Sequence, residues 1–269
     1  MPASTSTSRP EPEGTIQILP IDGIPEIHPG DDLSAIIGDA IAASIGSLQD
    51  GDIVTVTQKV VSKAEGKLVD LHTIEPGVLA TQIASDWDKD ARQVEVVLRE
   101  SVRIVRMVRG LIISQTRHGF ICANAGVDAS NVAAETVCLL PDDGDASAEA
   151  IRHALVSRFL GGSGQDSPLG VIVTDSFGRP WRSGITNVAI GVAGMAPLAD
   201  YRGQYDAAGY ELRATVIAVA DELASAAELV MHKLAARPVA VIRGFDLHAL
   251  GEPGTSRDLV MAEERNLFN

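Results

Sequence analysis

Cysteine is almost absent: Cys122 and Cys138 are the only two in 269 residues. Two thiols cannot build a disulfide framework, and these form no Cys-x-x-Cys pair of metal-ligating spacing. A reducing, cytoplasmic setting is therefore expected, with both thiols as small buried apolar groups. Basic charge is scarce as well, with 22 Lys and Arg against 36 Asp and Glu and a formal net charge of -14. Binding a phosphate backbone needs a concentrated Lys/Arg surface, so nucleic acid is excluded as the main partner. No apolar run approaches the roughly 20 residues that cross a bilayer, and no membrane partner is expected. The opening MPASTSTSRPEPEG lacks both a basic n-region and an apolar h-region, so residues 1–14 read as a disordered tail rather than a signal. Also missing are G-x-x-x-x-G-K-[ST], HExxH, GxSxG and any GxGxxG after a strand, which removes the ordinary P-loop as a phosphate cradle. The six histidines are scattered singly and give zinc little support.

What is present is a globular composition: 45% hydrophobic residues and a mean hydropathy of +0.13. The length allows one large domain or two small ones. Thr15 to Pro20 is a short β-prone run, and Gly23 to Gly30 (GIPEIHPG) is a proline-braced loop. Asp31 and Asp32 then precede Leu33, Ile36, Ile37, Ala40 and Ile41, which is N-cap chemistry followed by a helical apolar face. Gly51 to Val61 is β-branched and reads as a strand that ends in a polar loop, SKAEGK. Residues 76–102 look helical, residues 102–114 and 119–122 return to β-branched runs, Asp145 to Leu160 reads as a helix, and 161–168 as a flexible connection. Gly170 to Thr174 (GVIVT) has the pattern of a strand covered on both faces, with Asp175 and Ser176 at its carboxyl end. The longest helix is expected from about Glu211 to Ala235, ended by Pro238, with a last strand over Val239 to Ile242. The mixture of strands and helices predicts an α/β or α+β fold.

Three groups of residues could carry chemistry. In NAGVDASN, Asp128 and Asn131 put a carboxylate and an amide three residues apart, with Ala125 and Gly126 leaving room for a ligand near the backbone; an Asx-rich turn is the other reading. In TDSFGRPWRSG, Asp175 and Ser176 are hard-oxygen donors suited to Mg²⁺ or Mn²⁺, and Arg179 and Arg182 suit phosphate or carboxylate oxygens, unless the segment is a surface turn with Trp181 packed inward. Lys59 and Lys63, beside Glu65, can neutralise a phosphate or simply be solvated. His232, on the long helix beside Lys233, reads as a surface or packing residue.

These pieces follow one another as GIPEIHPGDDL, GDIVTVTQKVVSKAEGK, NAGVDASNV, GVIVTDSFGRPWRSG, and VADELASAAELVMHKL with PVAVIRG. The series resembles the coenzyme F-420-0:γ-glutamyl ligase family, over about Ile16 to Gly244. The resemblance implies an amide ligase that uses GTP and two Mn²⁺ or Mg²⁺ ions, with a monovalent cation such as K⁺ beside them, to attach L-glutamate to the phospholactyl side chain of a deazaflavin precursor. Carried over, it assigns the nucleotide to Ile24, Pro25, Glu26, Ile27, Gln58, Lys59, Lys63 and Asn131. Asp128 and Asp175 would hold metal and Ser176 would serve the second ion, standing where many members have Thr and keeping the hydroxyl. Met231, His232 and Lys233 occupy a stretch where the family usually has a central glycine. Arg179 and Arg182, with the two aspartates, are the expected catalytic groups.

The implied fold is an unusual mixed α/β architecture, an intertwined homodimer, with the ligase domain over 15–245 and an extension or linker over 246–269. Some actinobacterial relatives continue into a flavin-binding, nitroreductase-like domain, and 251–269 looks like the lead into one. Two rival readings are a related ligase with another carboxylate acceptor and a nucleotide-binding module without catalysis. An acidic scaffold is a third, and it leaves the arginines beside Asp175 unexplained.

Overall fold

The computed structural model describes residues 14–161 and 168–266; most of the expected connection over 161–168 and of the tail over 1–14 lies outside them. In chain order the main elements are β1 (Gln17–Ile21), α1 (Leu33–Ile45), β2 (Ile53–Thr57), α2 (Gln58–Ala64), β3 (Leu68–Asp70), α3 (Val78–Trp87), α4 (Ala91–Arg99), β4 (Ser101–Val108), β5 (Leu111–Thr116), β6 (Ile121–Ala123), β7 (Thr136–Cys138), α5 (Gly144–Phe159), β8 (Gly170–Arg179), β9 (Arg182–Ala193), β10 (Ala199–Asp200), β11 (Val216–Ile217), α6 (Val219–Met231) and β12 (Val239–Arg243). This is the mixed α+β architecture that the sequence predicts.

A five-stranded sheet in the order β1-β12-β2-β8-β9 forms the body. Its only parallel pair is β2 with β8, from Ile53 opposite Gly170 to Thr57 opposite Thr174. Side chains alternate across the pleat. Val54, Val56, Val171, Val173, Val239 and Val241 pack with α1 and α5, while Ile53, Ile172, Ala240 and Ile242 pack with α6. Burial on both faces is why these strands read as continuous apolar runs. Gly144 and Gly191 let the start of α5 touch β9, since a Cβ on Gly191 would lie 2.1 Å from the Gly144 carbonyl oxygen.

A smaller region carries the antiparallel sheet β4-β5-β6 and the helices α3 and α4, with Ile83, Val94, Val97 and Ile112 in its own core. The short β3–β7 ladder connects it to the chain that follows α2.

Four expectations change. Residues 58–64 are helical, where strand to Val61 and then a polar loop were expected: Gln58, Val61 and Ser62 are buried at i, i+3 and i+4, and the Ser62 hydroxyl donates to Gln58 Oε1 at 2.7 Å. Packing overrides the β-branched pair Val60 and Val61. The strand at 170 runs on to Arg179 as one arm of the β8–β9 hairpin, so Asp175 and Ser176 are within it, one step beyond the end of β2. The long helix is confined to Val219–Met231. Residues 201–215 form an exposed, mostly irregular segment, and His232 with φ 53° ends the helix before Pro238, leaving Leu234 96% exposed. Ala125 is packed into the small core and a Cβ on Gly126 would meet Leu140 at 2.7 Å, so the space predicted for a ligand there is filled.

The segment after β12 folds back onto the body. Ser256 is buried, and its N–H and hydroxyl donate to the two carboxylate oxygens of Asp145 at 2.8 and 3.0 Å.

Candidate active site

The parallel pairing stops at Thr57 and Thr174, and a cavity of about 390 Å³ opens there. Ligands collect at the carboxyl ends of parallel strands because loops and helix starts converge on that edge. The first wall is the Ile24–Ile27 loop. Its conformation is pinned by Ile27 in the main core, by the Gly30 N–H donating to the Ala64 carbonyl at 2.8 Å and by the His28 N–H donating to Asp31 at 2.7 Å.

The second wall is α2. Lys59 and Lys63, one helical turn apart, both face the cavity. Lys63 is only 7% exposed and its Nζ pairs with Glu26 at 2.5 Å. Lys59 Nζ pairs with Asp128 at 2.6 Å and donates to the Ser130 carbonyl at 2.7 Å.

Asp128 is held in place by two backbone hydrogen bonds with Cys138. Its side chain also accepts from the Ser130 N–H at 2.7 Å and the Ser130 hydroxyl at 2.9 Å. NAGVDASN therefore makes an Asx turn and also delivers a carboxylate to the cavity. Burial opposes ionisation of Asp128, but Lys59 and Ser130 outweigh it and hold the carboxyl below its usual range.

Asp175 enters from β8. Desolvation pushes its pKa up to about 6 against the stabilising Ser176 N–H, and the Asp128 charge raises it further, while Lys59 and Lys233 pull the other way. Behind it, burial and the Asp175 charge drive the Cys122 thiol up to about 12, so this cysteine is an inert packing group. Cys138 is likewise buried and free.

Every nucleotide and metal residue that the resemblance assigns lines this one cavity: Ile24, Pro25, Glu26, Ile27, Gln58, Lys59, Lys63, Asp128, Asn131, Asp175, Ser176, Met231, His232 and Lys233. Arg179 and Arg182 do not. They sit on either side of the β8–β9 turn, with the exposed Trp181 between them, which also answers the suggestion that Trp181 packs inward. Met231 is wholly buried and reaches the cavity from the α6 core.

The sequence reading missed Thr174, Asn187 and Glu228, all of which line the cavity. Only the proximity of Thr174 to Asp175 and the place of Glu228 one turn before His232 could have flagged two of them. Asn187 sits in an unremarkable strand.

Among the described residues no cluster of three or more His, Cys, Asp or Glu side chains forms a ready-made metal centre. The donor set nonetheless fits a hard divalent cation. Two carboxylates face one space and repel, Ser176 adds a hydroxyl, and the buried Thr174 hydroxyl has no hydrogen-bond partner. The lysines beside them suit phosphate oxygens. No helix among the described residues is long and apolar enough to cross a membrane.

The profile of the family F420-0:Gamma-glutamyl ligase matches residues 23–244. The chain is similar to the coenzyme F420:L-glutamate ligase of Methanothermobacter thermautotrophicus, 41% identical over 254 residues that cover 94% of this chain and 98% of that one. It is 42% identical over 257 residues to the protein of the same name from Methanopyrus kandleri, covering 94% and 98%, and 40% identical over 222 residues to that of Methanocaldococcus jannaschii, covering 82% and 86%. With the match spanning the cavity and every strand of the body except β1, the chain belongs to the F420-0:γ-glutamyl ligase family.

Proposed function

We propose that this protein is a coenzyme F420:L-glutamate ligase of F420 biosynthesis that forms its amide bond at the expense of GTP, through an acyl phosphate. The observation that carries the reading is the convergence of Lys59, Lys63, Asp128 and Asp175 from three chain segments on one cavity at the end of the parallel strand pair.

Joining a carboxylate to an amine in water is uphill, so the carboxylate needs a leaving group. In this reading an oxygen of the acceptor carboxylate attacks the γ-phosphorus of GTP, the bond to the β–γ bridging oxygen breaks, and GDP departs. The glutamate amine then attacks the acyl carbon, phosphate leaves with the bonding electrons, and the amine proton is lost.

Lys63, nearly desolvated, gives the triphosphate a fixed positive charge once phosphate oxygens replace the Glu26 carboxylate. Lys59 does the same nearer the reacting end, where its pairing with Asp128 keeps the ammonium oriented. The Ile24–Ile27 loop supplies main-chain groups and an apolar surface for the guanine base. Asp128, Asp175 and Ser176 would hold two divalent ions, Mn²⁺ or Mg²⁺, which when bound neutralise phosphate charge as it develops. That explains how a chain of net charge -14 accepts several anionic ligands. The reading rests on the lysines and aspartates, not on Arg179 and Arg182.

The reading includes a homodimer in the cytoplasm. The apolar runs 188–198 and 216–234 offer little dimer surface, because β9 and α6 largely bury them against each other in the core. Support comes instead from β4, the edge of its sheet, where Val102, Ile104, Val105, Met107 and Val108 are all exposed. An exposed apolar edge of that length pairs with another chain unless it is covered.

The test is incubation with GTP, Mn²⁺, L-glutamate and the purified deazaflavin precursor. A product heavier by glutamyl units, with GDP and phosphate released in step, is expected. Pyrophosphate release would overturn the acyl-phosphate route, and no mass gain with any carboxylate acceptor would leave a nucleotide-binding module.

A further inference from the structure

The surroundings of the Ser176 hydroxyl in the cavity set the direction of its hydrogen bond. Its Oγ lies 2.7 Å from Oδ1 of Asn187, the residue opposite it in the β8–β9 ladder. Asn187 is 3% exposed, and its Nδ2 lies 3.2 Å from Glu228 Oε2 on α6. The backbone of Asn187 is tied to the same helix, because the Ser225 hydroxyl donates to its carbonyl at 2.7 Å.

The chemistry of the three groups sets one direction. An ionised carboxylate only accepts hydrogen bonds, so Glu228 selects the amide rotamer that presents the NH₂ of Asn187. That leaves the amide oxygen facing Ser176, and an amide oxygen also only accepts. The single proton of the Ser176 hydroxyl must then point at Asn187. What remains for the cavity is the lone pairs of Oγ.

We propose that Asn187 and Glu228 are positioning residues that polarise Ser176, locking it as a lone-pair donor for a cation in the cavity. A free serine hydroxyl rotates and presents its proton to the cavity for part of the time, which repels a cation. Here the proton is withdrawn in advance, and the ordering cost is met when the chain folds rather than when the cation arrives. The inference rests on the metal-dependent reading of the cavity. It also gives a reason for a buried asparagine on a strand of apolar neighbours such as Val188 and Ala189.

The test is Mn²⁺ binding alone, followed by electron paramagnetic resonance of the free ion. Ser176→Ala first identifies the Ser176-dependent site by its weakened binding. Asn187→Ala and Glu228→Gln are then expected to weaken that same site by about 10-fold or more, the usual effect of removing a group that orients a metal ligand. Glu228→Gln keeps the shape of the side chain. Its amide can present either oxygen or NH₂, so Asn187 can flip and the Ser176 proton can turn to the cavity. The double variant Ser176→Ala with Asn187→Ala should bind no more weakly than Ser176→Ala alone, because Asn187 acts only through Ser176. A merely structural asparagine would instead add its effect.

If Asn187→Ala does not fold, Glu228→Gln decides by itself. Unchanged Mn²⁺ affinity in the folded Glu228→Gln protein overturns the proposal, as does full additivity in the double variant. If Ser176→Ala leaves Mn²⁺ binding untouched, the metal role of Ser176 itself fails, and the proposal fails with it.

Discussion

The body and the smaller region solve the same problem in opposite ways. In the body, the central strands have both faces covered by helices, and the side chains of Val54, Ile172 and Val241 are inaccessible to solvent. In the smaller region, β5 buries Ile112 under α3 and α4, but β4 leaves a row of five apolar side chains in contact with water. One region is a finished core, whereas the other leaves an apolar edge open. The cavity joins them: Asp175 comes from the sheet of the body, and Asp128 from the loop after β6, at the boundary of the smaller region. Chemistry that needs both carboxylates therefore reports whether the regions are held together.

The largest effect should come from that junction. Asp175→Asn and Asp128→Asn are each expected to lower kcat at least about 100-fold, because several kcal/mol of charge stabilisation are withdrawn from the transferring phosphoryl group. They should differ in stability. Asp128→Asn strips Lys59 of its ion pair and lowers Tm, while Asp175→Asn removes a carboxylate that ionises at a cost. Steady-state kinetics with thermal melts separates the two, and a near-normal kcat in Asp175→Asn would make the strand aspartate structural.

The contrast between the regions can be broken directly. Leu155→Ala, in the core between α5 and the sheet, should cost about 3 kcal/mol at any protein concentration. Ile104→Ser on β4 should cost the isolated chain within about 0.5 kcal/mol, as an exposed substitution does, yet shift the light-scattering mass toward a monomer. If both variants lose the same stability irrespective of concentration, β4 is not an interface.

Lys63→Ala should act mainly on nucleotide affinity. A point charge that meets phosphate in ground state and transition state alike changes KM for GTP, by about 10-fold, more than kcat.

The smallest effect is a pH dependence. With a pKa raised from 3.8 to about 6 in the fold, Asp175 binds its proton more tightly when folded. Its contribution to stability is complete below about pH 4 and is lost as the pH rises through 6. Asp128, shifted downward, acts in the opposite sense: its contribution is complete above its ordinary value and is lost as the pH falls below it. The metal-free protein should therefore lose a few degrees of Tm between pH 5 and pH 8 relative to Asp175→Asn, and Mn²⁺ at pH 8 should restore them. An identical pH slope in the two proteins would remove the desolvated carboxylate from the account.

Much of this was legible in one dimension. Asp32 was readable as the cap of α1, and it accepts the Ala35 N–H at 3.0 Å. GVIVT was readable as a doubly covered strand because burial on two faces demands an unbroken apolar run. Asp175 and Ser176 stood out as hard-oxygen donors at the end of an apolar strand and Asp128 as a carboxylate three residues from an amide, although the metal role of Asp128 came only from the resemblance.

What only the tertiary structure decided is of two kinds. Helix α2 replaces the expected strand end because Val61 finds its partners in the main core, a packing choice local propensity does not contain. Asn187 and Glu228 matter only through atoms 11 and 52 residues away from Ser176 in the chain, brought within hydrogen-bond reach by the β8–β9 register and the seating of α6. Sequence by itself determined which residues are able to ligate, cap or fill a core, since that follows from side-chain chemistry and period. Which lone pair faces the cavity, and which arginines are left at a hairpin tip, depends on long-range pairing, and only the folded chain sets that.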